Sequence, residues 1–364
     1  MKDLTIGIPA YHAEELICDA LASIQIQTCV ERIKVVIAPD DPKDNYTKVL
    51  KYFPNLEIKI LKCKENTGPG LARQRILDAC DTEWISFMDA DDVLYNPFAI
   101  EQLFSTIEDD TFFATGYVAE EMYEGCENRI NVHTDILNAY VNGHLFNMNF
   151  IRMHDIRFSS LRSCEDAEFI LKFIFFSRKL DIKLKQISEI VYLWRNTKNS
   201  ITHDRLNEHL CPQHTYDLNE INKVQSAINN CKWLEEHHEN EDNIVEYLVN
   251  HLVERYFTWH KSTIYNPMFT EQIIFCEKWL FVKTLADKNI PNALISKLYA
   301  KHNSCNTKFF EDSVPSLSFP DFMKKVLSTE YRGKEELLEI RSKYPSDVIE
   351  YDLSRGFDID GFDL

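Results

Sequence analysis

Glycine is scarce in this chain, 9 in 364 residues, so each one is expected to mark a turn or a close backbone approach. No apolar run reaches about 18 residues, so a membrane-spanning helix is not expected. The N-terminal MKDLTIGIPAYHAEE reads as a strand running into an acidic helix and lacks the charged and apolar regions of a signal peptide. The 10 cysteines form no CxxC pair and no zinc-like grouping. They read as reduced, mostly core thiols of a cytoplasmic protein. Positive charge is also in deficit: 40 Lys and Arg stand against 58 Asp and Glu, a net of −18. Both parts share the deficit, with 23 basic and 33 acidic groups in residues 1–210 and 17 and 25 in the remainder. Neither carries the basic footprint of a nucleic-acid binder, which ranks nucleic acid last among partners.

What is present is a globular composition, 45% hydrophobic and 12% aromatic, and a clear alternation of elements. LTIGIP (4–9), RIKVVIAP (32–39), NLEIKILKC (55–63) and EWISFM (83–88) read as buried strands. ELICDALASIQIQ (15–27), PKDNYTKVLKYF (42–53) and PGLARQRILDAC (69–80) read as the helices between them. This order predicts an α/β fold with a mostly parallel, right-handedly wound sheet. Ligands bind such sheets beyond the carboxyl ends of the strands. Pro9-Ala10-Tyr11, Asp40-Asp41 and Asp89-Ala90-Asp91 all fall there.

From ~111 the pattern shifts to mixed strands and loops, then a helix opening at Glu165-Asp166, then the strand KLKQISEIVYLWR. Beyond ~212 strands give way to helical periodicity, with Ile244, Leu248, Leu252, Tyr256 and Trp259 on one stripe. The expected division is a domain over 1–212, itself split at 110, and a helical accessory domain over 213–364. Such a stripe needs an apolar cover, from the first domain or from a second copy of the chain. Trp233, Trp259 and Trp279 are expected to be core residues of this part.

Three carboxylates close the fourth strand: Asp89, Asp91 and Asp92 in DTEWISFMDADD. Like charges this close repel, and desolvation at a strand end worsens the repulsion. The plain readings are a Lys or Arg counter-charge or an acidic turn facing water, and the sharper one is a divalent cation. Asn66-Thr67-Gly68-Pro69-Gly70-Leu71-Ala72-Arg73 has glycines for a tight turn into a helix, with Arg73 in its first turn. The GxxxxGK(S/T) spacing of a P-loop is missing. Glu165-Asp166 opens an apolar helix, where carboxylates suit the positive end of the dipole, so simple capping is the plain reading.

The order TIGIPAYHAEE…ALASIQIQT, KENTGPGLARQRILDA, FMDADD and SCEDAEF resembles the family 2 glycosyltransferases of the GT-A fold, over the N-terminal two-thirds of the chain. The resemblance implies inverting transfer of a sugar, hexosyl or N-acetylhexosaminyl, from a nucleotide diphosphate, UDP foremost, to an acceptor hydroxyl. It implies Mn2+ or Mg2+ as cofactor, with Asp91 as ligand and Asp89 on the metal or the ribose, beside Ala90. Pro9, Ala10 and Tyr11 would hold the base, with Glu14 nearby. Asp40 or Asp41 would take its hydrogen bonds, where the family's DDGS reads DDPK. Asn66, Gly70, Arg73 and Arg195 would line the nucleotide sugar, with Lys198 as an alternative to Arg195 on the phosphates. His203 would be a third ligand or a phosphate donor. Asp166 would be the general base and Glu165 an acceptor-hydroxyl ligand. Gly143-His144 would lie on an acceptor-side loop. The acceptors implied run from glycan or cell-surface polymer to modified nucleic acid. A non-catalytic sugar-nucleotide-binding relative and a nucleotidyltransferase are the alternatives. The second lacks its glycine- and lysine-rich phosphate loop after the first strand.

Overall fold

The computed structural model describes residues 2–124, 127–134, 140–182, 184–197 and 213–240, a few positions between 242 and 251, and residue 300. The chain divides into two compact units, Met1–Glu208 and His209–Leu364.

The first unit is α/β. Strands β1 (Leu4–Ala10), β2 (Ile33–Pro39), β3 (Glu57–Ile60) and β4 (Trp84–Phe87) pair in parallel in the order β3-β2-β1-β4. The Val, Ile and Leu side chains of β1 and β2 fill both faces, which is why these strands read as near-continuous apolar runs. Edge strand β3 instead alternates exposed Glu57 and Lys59 with partly buried Ile58 and Ile60. Helix α1 (Ile17–Gln25) belongs to one core layer, with Ile6, Ile8, Val35 and Ile37. Helix α2 (Pro69–Ala79) belongs to the other, where Ala72 and Ile76 meet Val36, Ala38 and Phe87.

The sheet continues through β8 (Leu145–Asn147), which is antiparallel to both β4 and β6 (Phe113–Glu124). Strand β6 then pairs in parallel with β9 (Lys185–Trp194), and β5 (Val93–Leu94) closes the order antiparallel to β9. Strand β7 (Glu127–His133) is a hairpin partner of β6. Helices α3 (Ala99–Phe104), α4 (Met148–Met153) and α5 (Glu165–Lys179) complete the unit. Arg178 and Lys179 in the last turn of α5 complement its dipole, as Glu165, Asp166 and Glu168 do in the first.

Residues 42–53 depart from the helix expected there. The segment forms a 3₁₀ turn over Tyr46–Tyr52. Asp41 Oδ1 accepts from Lys43 N–H, and Asn45 Oδ1 accepts from Thr47 N–H at 3.0 Å, so side chains compete for the donors a helix start would use.

In the second unit α6 (Gln213–Glu236) buries Ala227, Ile228, Cys231 and Leu234 along one stripe. Ile244 is buried, and Trp233 is partly buried and stacks on His237. Leu248, Leu252, Tyr256, Trp259 and Trp279 lie outside the described residues. Cysteines 18, 29, 63, 80, 164 and 231 are free thiols; Cys29, Cys80 and Cys231 are buried.

Candidate active site

The counter-charge demanded by the aspartate loop is a side chain in the case of Asp89. Arg73, in the first turn of α2, bonds Asp89 Oδ1 through Nη2 at 2.7 Å and Glu165 Oε1 through Nη1. Asn142 Nδ2 takes the other Asp89 oxygen at 2.9 Å. Burial opposes the Arg73 charge, but Asp89, Glu165 and Asp166 outweigh it and push the guanidinium pKa up. One buried cation therefore ties the end of β4 to the start of α5.

Asp92 is buried and fully bonded: Tyr192 Oη donates to its Oδ2 at 2.6 Å and Arg195 N–H to its Oδ1 at 2.9 Å. Tyr192 Oη also accepts the Asp89 N–H at 3.1 Å. Burial, then Asp89 and Asp91, raise the Asp92 pKa well above the usual carboxylate value. Asp91 is the least committed of the three. Thr197 Oγ1 donates to its Oδ2 at 2.5 Å, and its Oδ1 accepts no side-chain donor among the described residues. Desolvation and the Asp89 charge push its pKa up, which marks a carboxylate short of positive charge. Among the described residues no three His, Cys, Asp or Glu side chains converge as a metal cage. A cation here would take Asp91 Oδ1 and draw its remaining oxygens from a diphosphate and water. That donor set fits Mg2+ or Mn2+ delivered with a nucleotide.

The two aspartates after β2 separate in role. Asp40 is buried; its Oδ1 accepts Thr67 N–H at 2.9 Å and its Oδ2 accepts Gly68 N–H at 2.8 Å. Its carboxylate thus fixes the turn into α2, where Gly68 has φ +86°, and Asp41 remains as the half-buried member of the pair. Asp41 Oδ2 lies 3.5 Å from His12 Nε2, and the His12 Nδ1 meets Asp44 Oδ1 at 2.8 Å. Tyr11 is 55% exposed, its ring centroid 4.0 Å from that of His12, while Pro9 is half-buried and Ala10 buried. Glu14 Oε1 accepts Asn45 N–H at 3.2 Å. Gly70 has no open space beside it: a Cβ there would stand 2.2 Å from Ser159 O and 2.9 Å from Glu165 Cγ. Its missing side chain admits protein, the Ser159 loop and Glu165.

Glu165 and Asp166 stand side by side at the start of α5, after Cys164 in the left-handed region (φ +64°). Glu165 is buried against Arg73, and burial raises its pKa in spite of that partner. Asp166 is half-buried and accepts Ala167 N–H at 2.9 Å. Burial, then the Glu165 charge, push its pKa up to about 8. Ala90 is buried inside the aspartate turn, and Arg195 pairs with Asp19 at 2.8 Å. Lys198 and His203 lie outside the described residues. His144, beside Gly143 (φ +74°), is buried and held neutral, its pKa lowered by burial to about 3, with Thr115 Oγ1 2.7 Å from its Nδ1.

Residues 5–172 match the model of a family described as Glycosyl transferase family 2. This chain carries a family 2 glycosyltransferase domain. A teichoic acid poly(glycerol phosphate) polymerase of Staphylococcus epidermidis is 26% identical over 199 residues, 49% of this chain and 27% of that protein. An uncharacterized glycosyltransferase of Escherichia coli, YibD, is 30% identical over 109 residues, covering 29% and 31%. The chain thus matches only about a third or less of the length of these curated relatives. The crystal structure of S. aureus TarS 1-349 in complex with UDP-GlcNAc superposes with a TM-score of 0.55 at 15% identity. The match covers 86% of this chain and 93% of that one. That likeness is one of fold, the GT-A arrangement of an α/β sheet with the aspartate loop at its carboxyl edge.

Asn142, Tyr192 and Thr197 had no motif to announce them; each reaches the aspartate loop by tertiary pairing. Tyr192→Phe should leave the Asp92 oxygen and the Asp89 N–H without their partner. It should cost about 1–3 kcal/mol of stability, whereas the same change at exposed Tyr52 should cost almost nothing. Urea unfolding of the two variants beside the parent checks this.

Proposed function

We propose that the protein is a metal-dependent, inverting glycosyltransferase that moves a sugar from a nucleotide diphosphate to an acceptor hydroxyl. The observation that carries this reading is the Arg73 bridge. Through Asp89 it sets the aspartate turn at the end of β4 against a second carboxylate pair at the start of α5. UDP is the favoured nucleotide and a glycan or surface polymer the favoured acceptor. The UDP-GlcNAc complex of TarS and the polymerase of S. epidermidis support those two choices.

In this reading Tyr11 covers the base and Asp41 reads its polar edge. A bound Mn2+ or Mg2+ on Asp91 would offset the charge of the departing diphosphate. Asp166 accepts the proton of the acceptor hydroxyl as that oxygen bonds to the anomeric carbon. The bond from that carbon to the diphosphate oxygen breaks on the opposite face, and the electron pair leaves with the nucleotide. Arg73 keeps Glu165 in place beside the base. The division at 212 is part of the proposal, with the second part orienting the acceptor or joining subunits.

Asp91→Asn should abolish transfer and metal-dependent UDP binding while the thermal midpoint of the free protein holds. Full activity of this variant in excess EDTA would refute the metal assignment. Asp166→Asn should lower turnover by roughly 10²–10⁴-fold with donor affinity unchanged, since the acceptor is its partner. The base must be ionised, and its pKa is raised. Activity should therefore fall as pH drops through a limb well above the ordinary carboxylate range, and a limb near pH 4 contradicts this. A chain ending at Glu208 should bind UDP-sugar and hydrolyse it slowly but transfer poorly to the true acceptor. Loss of donor binding in a folded truncated chain would overturn the two-part division.

A further inference from the structure

Four arginines stand at the candidate site, and three of them face a carboxylate. Arg73 bonds Asp89 and Glu165, Arg75 lies 3.5 Å from Asp40 Oδ1, and Arg195 lies 2.8 Å from Asp19 Oδ2. Arg162 differs. Its Nη1 donates to Asn66 Oδ1 and its Nη2 to Asn66 O at 3.3 Å, and it pairs with no carboxylate among the described residues. A guanidinium has five N–H donors in a fixed fork, so three remain uncommitted.

The position of that fork is defined. It lies against Gly68, where a Cβ would come within 3.2 Å of Arg162 Cδ and 3.4 Å of its Nε. The loop beneath it is pinned by Asp40 through Thr67 and Gly68. Two hydroxyls of the segment that carries Arg162, Ser159 Oγ and Ser163 Oγ, are buried without a partner among the described residues, an arrangement folded proteins rarely keep without cause. Three residues beyond Arg162 begin Glu165 and Asp166. The rest of the site is lined by Asp89, Asp91, Asp92, Glu165 and Asp166, a field that repels any phosphate-bearing substrate. A fixed, planar cation at its rim answers that repulsion and matches phosphate geometry.

We infer that Arg162 is a phosphate-binding residue, receiving either the donor's diphosphate or a phosphodiester of the acceptor. The assignment of these two sources rests on the glycosyltransferase reading; the phosphate chemistry does not.

The test is calorimetric binding to the full chain and its Arg162→Gln and Arg162→Lys variants, with the thermal midpoint as the control for folding. The probes are UDP, uridine, pyrophosphate, oligo(glycerol phosphate) and glycerol. The Gln variant should lose about tenfold or more in affinity, the worth of one charge-assisted hydrogen bond. A donor-side role shows this loss for UDP and pyrophosphate, with uridine unchanged. An acceptor-side role shows it for oligo(glycerol phosphate), with glycerol unchanged. The Lys variant, which keeps the charge, should recover most of the loss. Affinities within about twofold of the parent for every phosphate probe would overturn the inference. So would an equal loss for uridine and UDP, since Arg162 would then only brace the Asn66 loop. A parent that binds pyrophosphate through Arg162 but no uridine nucleotide would remove the donor reading and leave this one standing. A parent that binds UDP-sugar with no phosphate probe affected by Arg162→Gln would do the reverse.

Discussion

The rest of the site depends on one buried guanidinium. Arg73 reaches from the first turn of α2 to Asp89 on one side and Glu165 on the other, and these two carboxylates are 76 residues apart in sequence. Taking a charge out of water costs several kcal/mol unless partners replace the solvent. Here two carboxylates do so, and each is itself buried or half-buried. Loss of Arg73 would leave two carboxylates uncompensated in a low-dielectric setting. The constraint is therefore mutual: the strand end, the helix start and the arginine hold one another. The aspartate loop and the carboxylate pair of α5 are in this way held in a fixed relation.

A second set of contacts comes from the return of β9. Tyr192, Arg195 and Thr197 each bond a different point of the aspartate turn, so the loop is gripped from the strand that follows it by about a hundred residues. Gly143 permits this closeness, because a Cβ there would meet the Tyr192 side chain at 2.7 Å. The result is a division of labour among three neighbouring carboxylates. Asp89 holds a cationic side chain, Asp92 holds backbone and a phenol, and Asp91 holds the Thr197 hydroxyl.

Much of this was legible in the residues alone, and for identifiable reasons. Strands β1 and β2 were readable because burial on both faces forces continuous Val, Ile and Leu runs, and β3 because its isoleucines alternate with charged residues. The aspartate cluster stood out because its electrostatics demanded an explanation. The helix expected over 42–53 failed because Asp41 and Asn45 offer local hydrogen bonds that an average over the segment conceals. Asp40 and Asp41 were indistinguishable as a pair, since only folding brings Thr67 and Gly68 to the first of them. Gly70 was expected in the turn into α2, lining the nucleotide sugar; that Ser159 and Glu165 occupy the space beside it is set by tertiary packing. Tyr192 and Asn142 carried no signal, being an aromatic in a strand and an amide before a glycine. Their meaning lies in register and crossover, which spacing does not express.

The grip of β9 on the aspartate loop also has a consequence for biosynthesis. Asp92 and Tyr192 are 100 residues apart, and a ribosome adds about 5–20 residues each second. For several seconds the nascent chain holds β1 to β4 with their carboxylate turn but without the phenol, backbone amide and hydroxyl that later secure it. Through that interval Asp91 and Asp92 must stay hydrated, because Tyr192, the Arg195 amide and Thr197 are not yet made, whereas Arg73 is already present to hold Asp89. The parallel half of the sheet can assemble early, while the loop at its edge stays wet and takes its final shape only when β9 has left the ribosome. Synthesis thus separates the making of the scaffold from the setting of its reactive edge.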